Sequence, residues 1–434
     1  MRRCLYLLCP LSLVSSASAQ CDPATLFAPP VPTLLAGGST PINILAADLN
    51  ADGNQDLVIA ESGADTVALL FGNGDGTLLP PVRLGLEVGV GDGPAGLAIA
   101  DVTGDAVLDL IVTNGFDSNL AVLIGAGDGT FTAGGLFDTG FFTQPTDVAA
   151  SDLDNDGDTD LVVSVESNQI RVLTNDGTGS FGPPEFTIIL GSVTSVAVGH
   201  LNADDIPDFA VTEFASSRIT VGFGTGNTTF AGLTDYPAPL GAADIQIVDM
   251  DGDGDQDLVA ASFFGDTSVW LNDGNGVFAG PTNYATSGVP RAIKAADVDG
   301  DGDQDLLVAT GTTNPQSISF FPANGDGTLG VEQTLPAGNN CFELVIADFN
   351  NDDAPDVAAV FIASNDYYVY LNTCAPPCPA DLAPPQGVLN FFDISAYITA
   401  FNAQDPVADF AAPFGVFNFF DIAAYIAAFN AGCP

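Results

Sequence analysis

One nine-residue pattern, acidic at alternate positions, recurs seven times along the chain at intervals of 48 to 53 residues. A repeat of that period restricts the fold to an array of small, similar units. The copies are DLNADGNQD from Asp48, DVTGDAVLD from Asp101, DLDNDGDTD from Asp152, HLNADDIPD from His200, DMDGDGDQD from Asp249, DVDGDGDQD from Asp297 and DFNNDDAPD from Asp348. Short apolar, β-prone runs flank each copy, INILAA before and LVIAES after the first, so each loop joins two strands. A third strand then enters a Gly-Asp-Gly turn, as in FGNGDGTL from Phe71, or its relative in LNDGNGVF from Leu271. Such residues tolerate the positive φ of a tight hairpin, and a fourth strand follows. One repeat is one four-stranded antiparallel sheet.

Seven such sheets fit an all-β fold, a seven-bladed β-propeller, in which each blade buries its faces on its neighbours. The seventh copy runs through YYVYLN to Asn372 and breaks into TCAPPCP with no fourth strand, whereas TLFAPPVPTLLAG from Thr25 precedes the first copy as a strand without a sheet. The N-terminal strand is therefore expected to close the last blade. That placement brings Cys21 beside Cys374, and a disulfide between them is expected to clasp the ring. Cys341 stands where other repeats carry Pro41, Pro145 and Pro290, and is left as a buried thiol.

Charge narrows the function. The 434 residues include 55 acidic and 7 basic side chains, a net charge of −48, yet 47% are hydrophobic and 30 are Phe, which excludes a disordered polyanion. A chain whose only lysine is Lys294 cannot neutralise phosphate, so nucleic acid and anionic membrane surfaces are excluded as partners. Among the acids 48 are Asp and 7 are Glu, and 28 of the 55 fall inside the seven loops. Like charges packed so closely require a counterion.

Acidic side chains at positions 1, 3 and 5, a backbone carbonyl at 7 and Asp at 9 surround a hard cation with oxygens, while Gly at 6 permits the turn; Ca2+ is the expected cofactor. The loops rich enough to bind most tightly are Asp152, Asp154, Asp156, Asp158 and Asp160; Asp249, Asp251, Asp253, Asp255 and Asp257; and Asp297, Asp299, Asp301, Asp303 and Asp305. Asp48, Asn50, Asp52, Asn54 and Asp56 form a credible site with one Asn substitution. Asp101, Thr103, Asp105 and Asp109 are expected to bind more weakly because of Thr103 and Ala106, and so are Asp348, Asn350, Asp352 and Asp356 because Asp353 occupies the glycine position. The fourth loop begins with His200 and keeps Asp204 and Asp208, so it is not expected to be a full site. His200, the only histidine, is read as a substituted loop residue rather than a catalytic one.

These loops resemble the FG-GAP/VCBS repeat family, to which the integrin α-subunit propeller belongs, over about residues 25–373. The resemblance implies a seven-bladed propeller with calcium in inter-strand loops on one face. Function varies across that family and includes adhesion, carbohydrate binding and scaffolding of some lyases.

The ends of the chain carry other signals. Arg2 and Arg3, an apolar run from Leu5 to Val14 and the small residues Ala17-Ser18-Ala19 read as a signal peptide over residues 1–19, which places the protein outside the cell or on its surface. The propeller is assigned to residues 20–373 and a linker to 374–379. Within residues 380–434, ADLAPPQGVLNFFDISAYITAFNAQDP recurs 28 residues later as ADFAAPFGVFNFFDIAAYIAAFNAGCP. Ile394, Tyr397, Ile398 and Phe401 fall at helical spacing, as do Ile422, Tyr425, Ile426 and Phe429, with Asp393 and Asp421 placed as caps and Cys378 and Cys433 placed to tie the ends. This duplicated loop-helix unit resembles a dockerin-like module of the Gly-Cys-terminated kind. That resemblance implies an anchoring partner. Its loops depart from the dockerin pattern at Ala383, Pro385, Ala411 and Pro413, leaving Asp381, Asn390, Asp393, Asp409, Asn418 and Asp421 as oxygen donors.

The leading reading is a monomeric, secreted, non-catalytic propeller that binds a protein or polysaccharide ligand, with no membrane span. The runner-up is a calcium-dependent polysaccharide lyase or hydrolase. No serine nucleophile elbow, histidine metal cluster or phosphate-binding Gly-Lys motif occurs. Glu166 and Glu213 stand outside the loops, near the ends of second strands in successive repeats.

Overall fold

The computed structural model of the chain describes residues 26–35, 37–140, 143–311, 317–374 and 391–403, together with 408, 422, 425 and 426. Seven four-stranded antiparallel sheets follow one another, one per repeat. In the first, strands Pro41–Ala47, Asp56–Glu61, Thr66–Leu70 and Val82–Leu84 pair in chain order, the meander that short loops enforce. The same order repeats through the sixth blade.

Burial explains the strand sequences. Every second strand is buried along its whole length, from Asp56–Glu61 in the first blade to Asp356–Phe361 in the seventh. Both faces of such a strand are covered, so it reads as a near-continuous apolar run rather than an alternation. The first strands mix buried and partly open positions, two buried of seven in Pro41–Ala47, because they line the axial cavity. Seven hydrophobic clusters fill the seams between adjacent blades. Val58, Val67 and Leu69 of blade 1, for example, meet Leu110, Val112 and Leu123 of blade 2.

The ring closes as its sequence predicts. Blade 7 consists of Cys341–Ala347, Asp356–Phe361 and Asp366–Tyr370, and its outermost strand is the N-terminal Thr33–Leu34. Thr33 pairs with Tyr367 and Leu34 with Asp366, and the Thr373 N–H donates to the Leu26 carbonyl at 2.7 Å. Leu26 is buried in the seam between blades 6 and 7 and Leu35 in the seam between blades 7 and 1. The closing segment thus places a leucine on each side of the blade it completes. Cys341 is a buried free thiol, as expected. The signal peptide and Cys21, and with it the Cys21–Cys374 pairing, lie outside the described residues.

In the C-terminal region one helix, Phe391–Ala403, is described. It begins two residues before Asp393, which is therefore the third residue of the helix instead of its cap. Tyr397 stacks on Tyr425, its counterpart in the duplicated sequence, at 3.8 Å and 7°. A dockerin fold is not shown by these residues, and Asp381, Asn390, Asp409, Asn418, Asp421, Cys378 and Cys433 lie outside the described residues. No helix among the described residues is long and apolar enough to cross a membrane.

Candidate metal centre

Each Asp loop joins the end of a first strand to the start of a second, so all seven lie on one face of the ring. Six share a backbone path with left-handed residues at positions 4 and 6: Ala51 and Gly53, Gly104 and Ala106, Asn155 and Gly157, Gly252 and Gly254, Gly300 and Gly302, Asn351 and Asp353. Glycine at position 6 has φ between 88° and 98°, whereas Ala106 and Asp353 adopt 66° and 65°, inside the small left-handed region open to other residues. The sixth position therefore keeps its turn without glycine. The left-handed residue at position 4 has no invariant residue type to announce it.

Three carboxylates hold this path. Asp at position 1 accepts the N–H of position 6 at 2.7–3.0 Å in those six loops. Asp at position 5 accepts the N–H of position 7 at 2.8–3.1 Å in all seven. Asp at position 9 is fully buried in every blade. One of its oxygens takes the N–H of position 2 at 2.8–3.2 Å. The other takes an N–H at the end of the third strand at 2.6–2.9 Å. The ninth residue is thus a staple between loop and hairpin, a role that its presence in all seven copies signals and that metal ligation alone does not explain.

The fourth loop departs from the rest. His200 is exposed and has no carboxylate to receive the loop's N–H groups, neither Ala203 nor Asp205 is left-handed, and Asn202 Oδ1 takes the Asp204 N–H at 2.7 Å instead.

Oxygens converge where the sequence is richest. Asp152, Asp154 and Asp160, Asp249, Asp251 and Asp257, and Asp297, Asp299 and Asp305 each present ligand atoms within 4.8 Å of one another, grouping positions 1, 3 and 9. Asp154 Oδ1 is buried and accepts no hydrogen bond, an orphan that a cation would satisfy. Position 5 lies next to position 3: in the first and last loops Asn50 and Asn350 donate to Asp52 and Asp352 at 3.0 and 2.9 Å. At position 7 the expected ligand is the backbone carbonyl, and the side chain is turned elsewhere. The side chains of Asn54, Asp158, Asp255 and Asp303 lie against Gly74, Gly177, Gly274 and Gly325 of the hairpin turns, where no Cβ would fit, and do not join the three clusters. Thr103 and Asn350 carry oxygen at position 3, but no acidic trio forms in their loops among the described residues.

Burial, ahead of any other cause, pushes the ninth carboxyl up, to about 6 in Asp160, Asp257 and Asp356 and about 7 in Asp305. A cation among the oxygens opposes that burden by stabilising the ionised form.

The FG-GAP-like repeat pattern matches residues 48–112, 104–163, 152–211, 249–308 and 297–359, more than half of the chain. This protein belongs to the FG-GAP-like repeat family. No curated protein sequence matches the chain. Among solved structures, BBS1N crystallised in complex with ARL6DN is similar with a TM-score of 0.56 and 15% identity, over 80% of this chain and 96% of that one. A lectin of Agrocybe aegerita, described for specific recognition of non-reducing terminal N-acetylglucosamine, gives 0.52 and 20%, over 75% and 87%. At such identities the likeness shows the fold.

The FG-GAP-like propeller holds a second polar group that sequence reasoning missed. An axial cavity of about 850 Å³ is lined by the first strands, and the chain's one lysine stands in it. Lys294 Nζ contacts Glu343 at 2.9 Å and Asp244 at 3.3 Å. Ser195 Oγ stands 3.0 Å from both Asp147 Oδ2 and Asp244 Oδ1. Clustered carboxylates are therefore not confined to the Asp loops. Asp147, Ser195, Asp244 and Glu343 occupy the third position of four first strands, a coincidence visible only when the strands are set side by side. Burial, then Asp244, raises the Asp147 carboxyl to about 6.

The two spare glutamates are not equivalent. Glu213 pairs with Val193 as Glu61 pairs with Pro41, while in blade 3 that place belongs to Val165 and Glu166 follows it. Glu61 and Glu213 are buried and bound by Arg83 and Arg218 at 2.7 Å. Trp270 is core: fully buried, its Nε1 donates to the Pro237 carbonyl.

Proposed function

We propose that this protein is an exported, calcium-stabilised propeller serving without catalysis as a binding or scaffold module, anchored to a cell surface or a larger assembly through its C-terminal segment. The observation that carries the calcium reading is the convergence of positions 1, 3 and 9 in three loops. All the side-chain donors are hard oxygens, which suits calcium better than zinc or copper. A bound ion would cancel the repulsion among these acids and hold the path that the carboxylate hydrogen bonds already favour.

The binding role is supported by what other propellers of this shape do: BBS1N is seen in a complex, and the Agrocybe lectin is described for recognising a sugar. Export is supported by the basic, apolar and small-residue order of residues 1–19, and anchoring by the duplicated C-terminal sequence.

The test is thermal melting of chelated protein with and without added calcium, in the wild type and in a D154N/D251N/D299N variant. Calcium should raise the wild-type melting temperature strongly and the variant's much less. Equal responses would remove these loops from the account.

A further inference from the structure

At the end of the axial cavity opposite the Asp loops, one cation stands without an acid. Arg291, third residue of strand Val289–Ala296, lies over the rings of Phe263 and Phe342 at 5.1 and 4.9 Å. Arg83, Arg218 and Lys294 all bind carboxylates, whereas no ion pair among the described residues involves Arg171 or Arg291, and the Nε of each is buried with no hydrogen-bond partner; of these two only Arg291 lines the axial cavity. Gly311 makes room for it, since a Cβ there would come within 2.8 Å of that Nε. In a chain with 55 acids and 7 bases, an arginine that lines the cavity, makes no ion pair among the described residues and is held by two aromatic rings is prepared for an external anion.

The surroundings define the rest of the ligand. Phe214 and Phe263 line the cavity and pack together at 5.7 Å, and beside them Phe264 is 65% exposed. Deeper in, Ser195 has one hydrogen for two carboxylates, so the Asp147, Ser195 and Asp244 group has acceptor capacity to spare. Asp244 also receives the N–H of Ile293, whose Cα lies about 7 Å of strand rise from that of Arg291, so these acceptors flank the same strand as the arginine. Lys294 is already occupied by Asp244 and Glu343 and does not compete for the anion.

We propose that this cavity mouth binds a sugar acid, its carboxylate on Arg291 and its hydroxyls donating toward Asp147, Ser195 and Asp244. The inference rests on the reading of the protein as a binding module and names the chemistry that module would recognise. A full anion belongs at the mouth, because the acids deeper in would repel it.

The experiment is calorimetric titration of calcium-loaded protein with glucuronate, and with glucose as the neutral control. Glucuronate should bind at least tenfold more tightly than glucose, and Arg291→Gln should erase that preference while leaving melting temperature and calcium uptake unchanged. Ser195→Ala, small enough to keep the cavity packed, should weaken glucuronate several-fold even if Arg291→Gln proves unstable. Equal affinity for the two sugars, or an unaltered preference in both variants, would overturn the site. Calcium stabilisation persisting alongside that failure would leave the calcium-stabilised propeller standing and remove only this ligand.

Discussion

Asp208 separates two jobs that the Asp loops combine. Its loop lacks the position-1 carboxylate and the left-handed pair, yet Asp208 is as buried as its counterparts and accepts the N–H groups of Leu201 and Gly224 at 2.9 and 2.8 Å. Replacing it with alanine leaves two buried donors unsatisfied, so D208A should cost about 3 kcal/mol in calcium-free protein, measured by denaturant unfolding. D251N, at position 3 of an acidic trio that could hold the ion, should leave calcium-free stability within about 0.5 kcal/mol of wild type and remove calcium binding from its loop. The ninth Asp was legible as a loop residue, and its recurrence in all seven copies, His200's loop included, is the signal of its structural role; a metal reading masks that role because the same residue type suits both. A second residue-scale prediction concerns Asp147, whose carboxyl is raised from 3.8 to about 6 by burial and by Asp244. A raised carboxyl contributes stability fully below its unfolded value and loses it as pH rises through the folded one. Between pH 4 and 7 calcium-free wild type should therefore lose up to about 3 kcal/mol relative to D147N. Parallel pH profiles for the two proteins would contradict this.

Between elements, the Asp loops double as seams. Asn175, Asn272 and Asn372, each at the end of a third strand, donate to the position-2 carbonyls of the preceding loop, Val102, Leu201 and Val298, at 2.8–2.9 Å. In blades 1, 2 and 6 a hairpin glycine N–H does the same, Gly76 to Phe349, Gly129 to Leu49 and Gly327 to Met250. A loop that bound an ion would thereby stiffen the contact to the next blade. N272A should destabilise by about 1–2 kcal/mol, because the carbonyls of Leu201 and Gln256 both lose their donor. Strand identity and hairpin turns were readable because the apolar run and the Gly-Asp-Gly turn are local features. The latches were not, since each joins residues more than 70 positions apart and alternates between an Asn side chain and a glycine backbone.

The whole ring depends on its two ends. Sequence alone exposed the closure, since the seventh repeat stopped one strand short and Thr25 began one too many. Leu26, 1% exposed in the seam between blades 6 and 7, should cost about 3 kcal/mol when cut to alanine despite its place before the first blade. Unfolding of L26A followed by denaturant would show it. The axial cavity stayed out of reach of sequence reading because each repeat adds only one or two polar residues among apolar neighbours, and these acquire meaning only in the closed ring. The central claim is that the Asp loops hold calcium as part of this ring, and it is tested most directly by calorimetric titration of calcium into chelated mature protein. The account predicts uptake of about three to six ions, with the loops at Asp152, Asp249 and Asp297 filled first. No uptake, or uptake unchanged in the D154N/D251N/D299N variant, would contradict it.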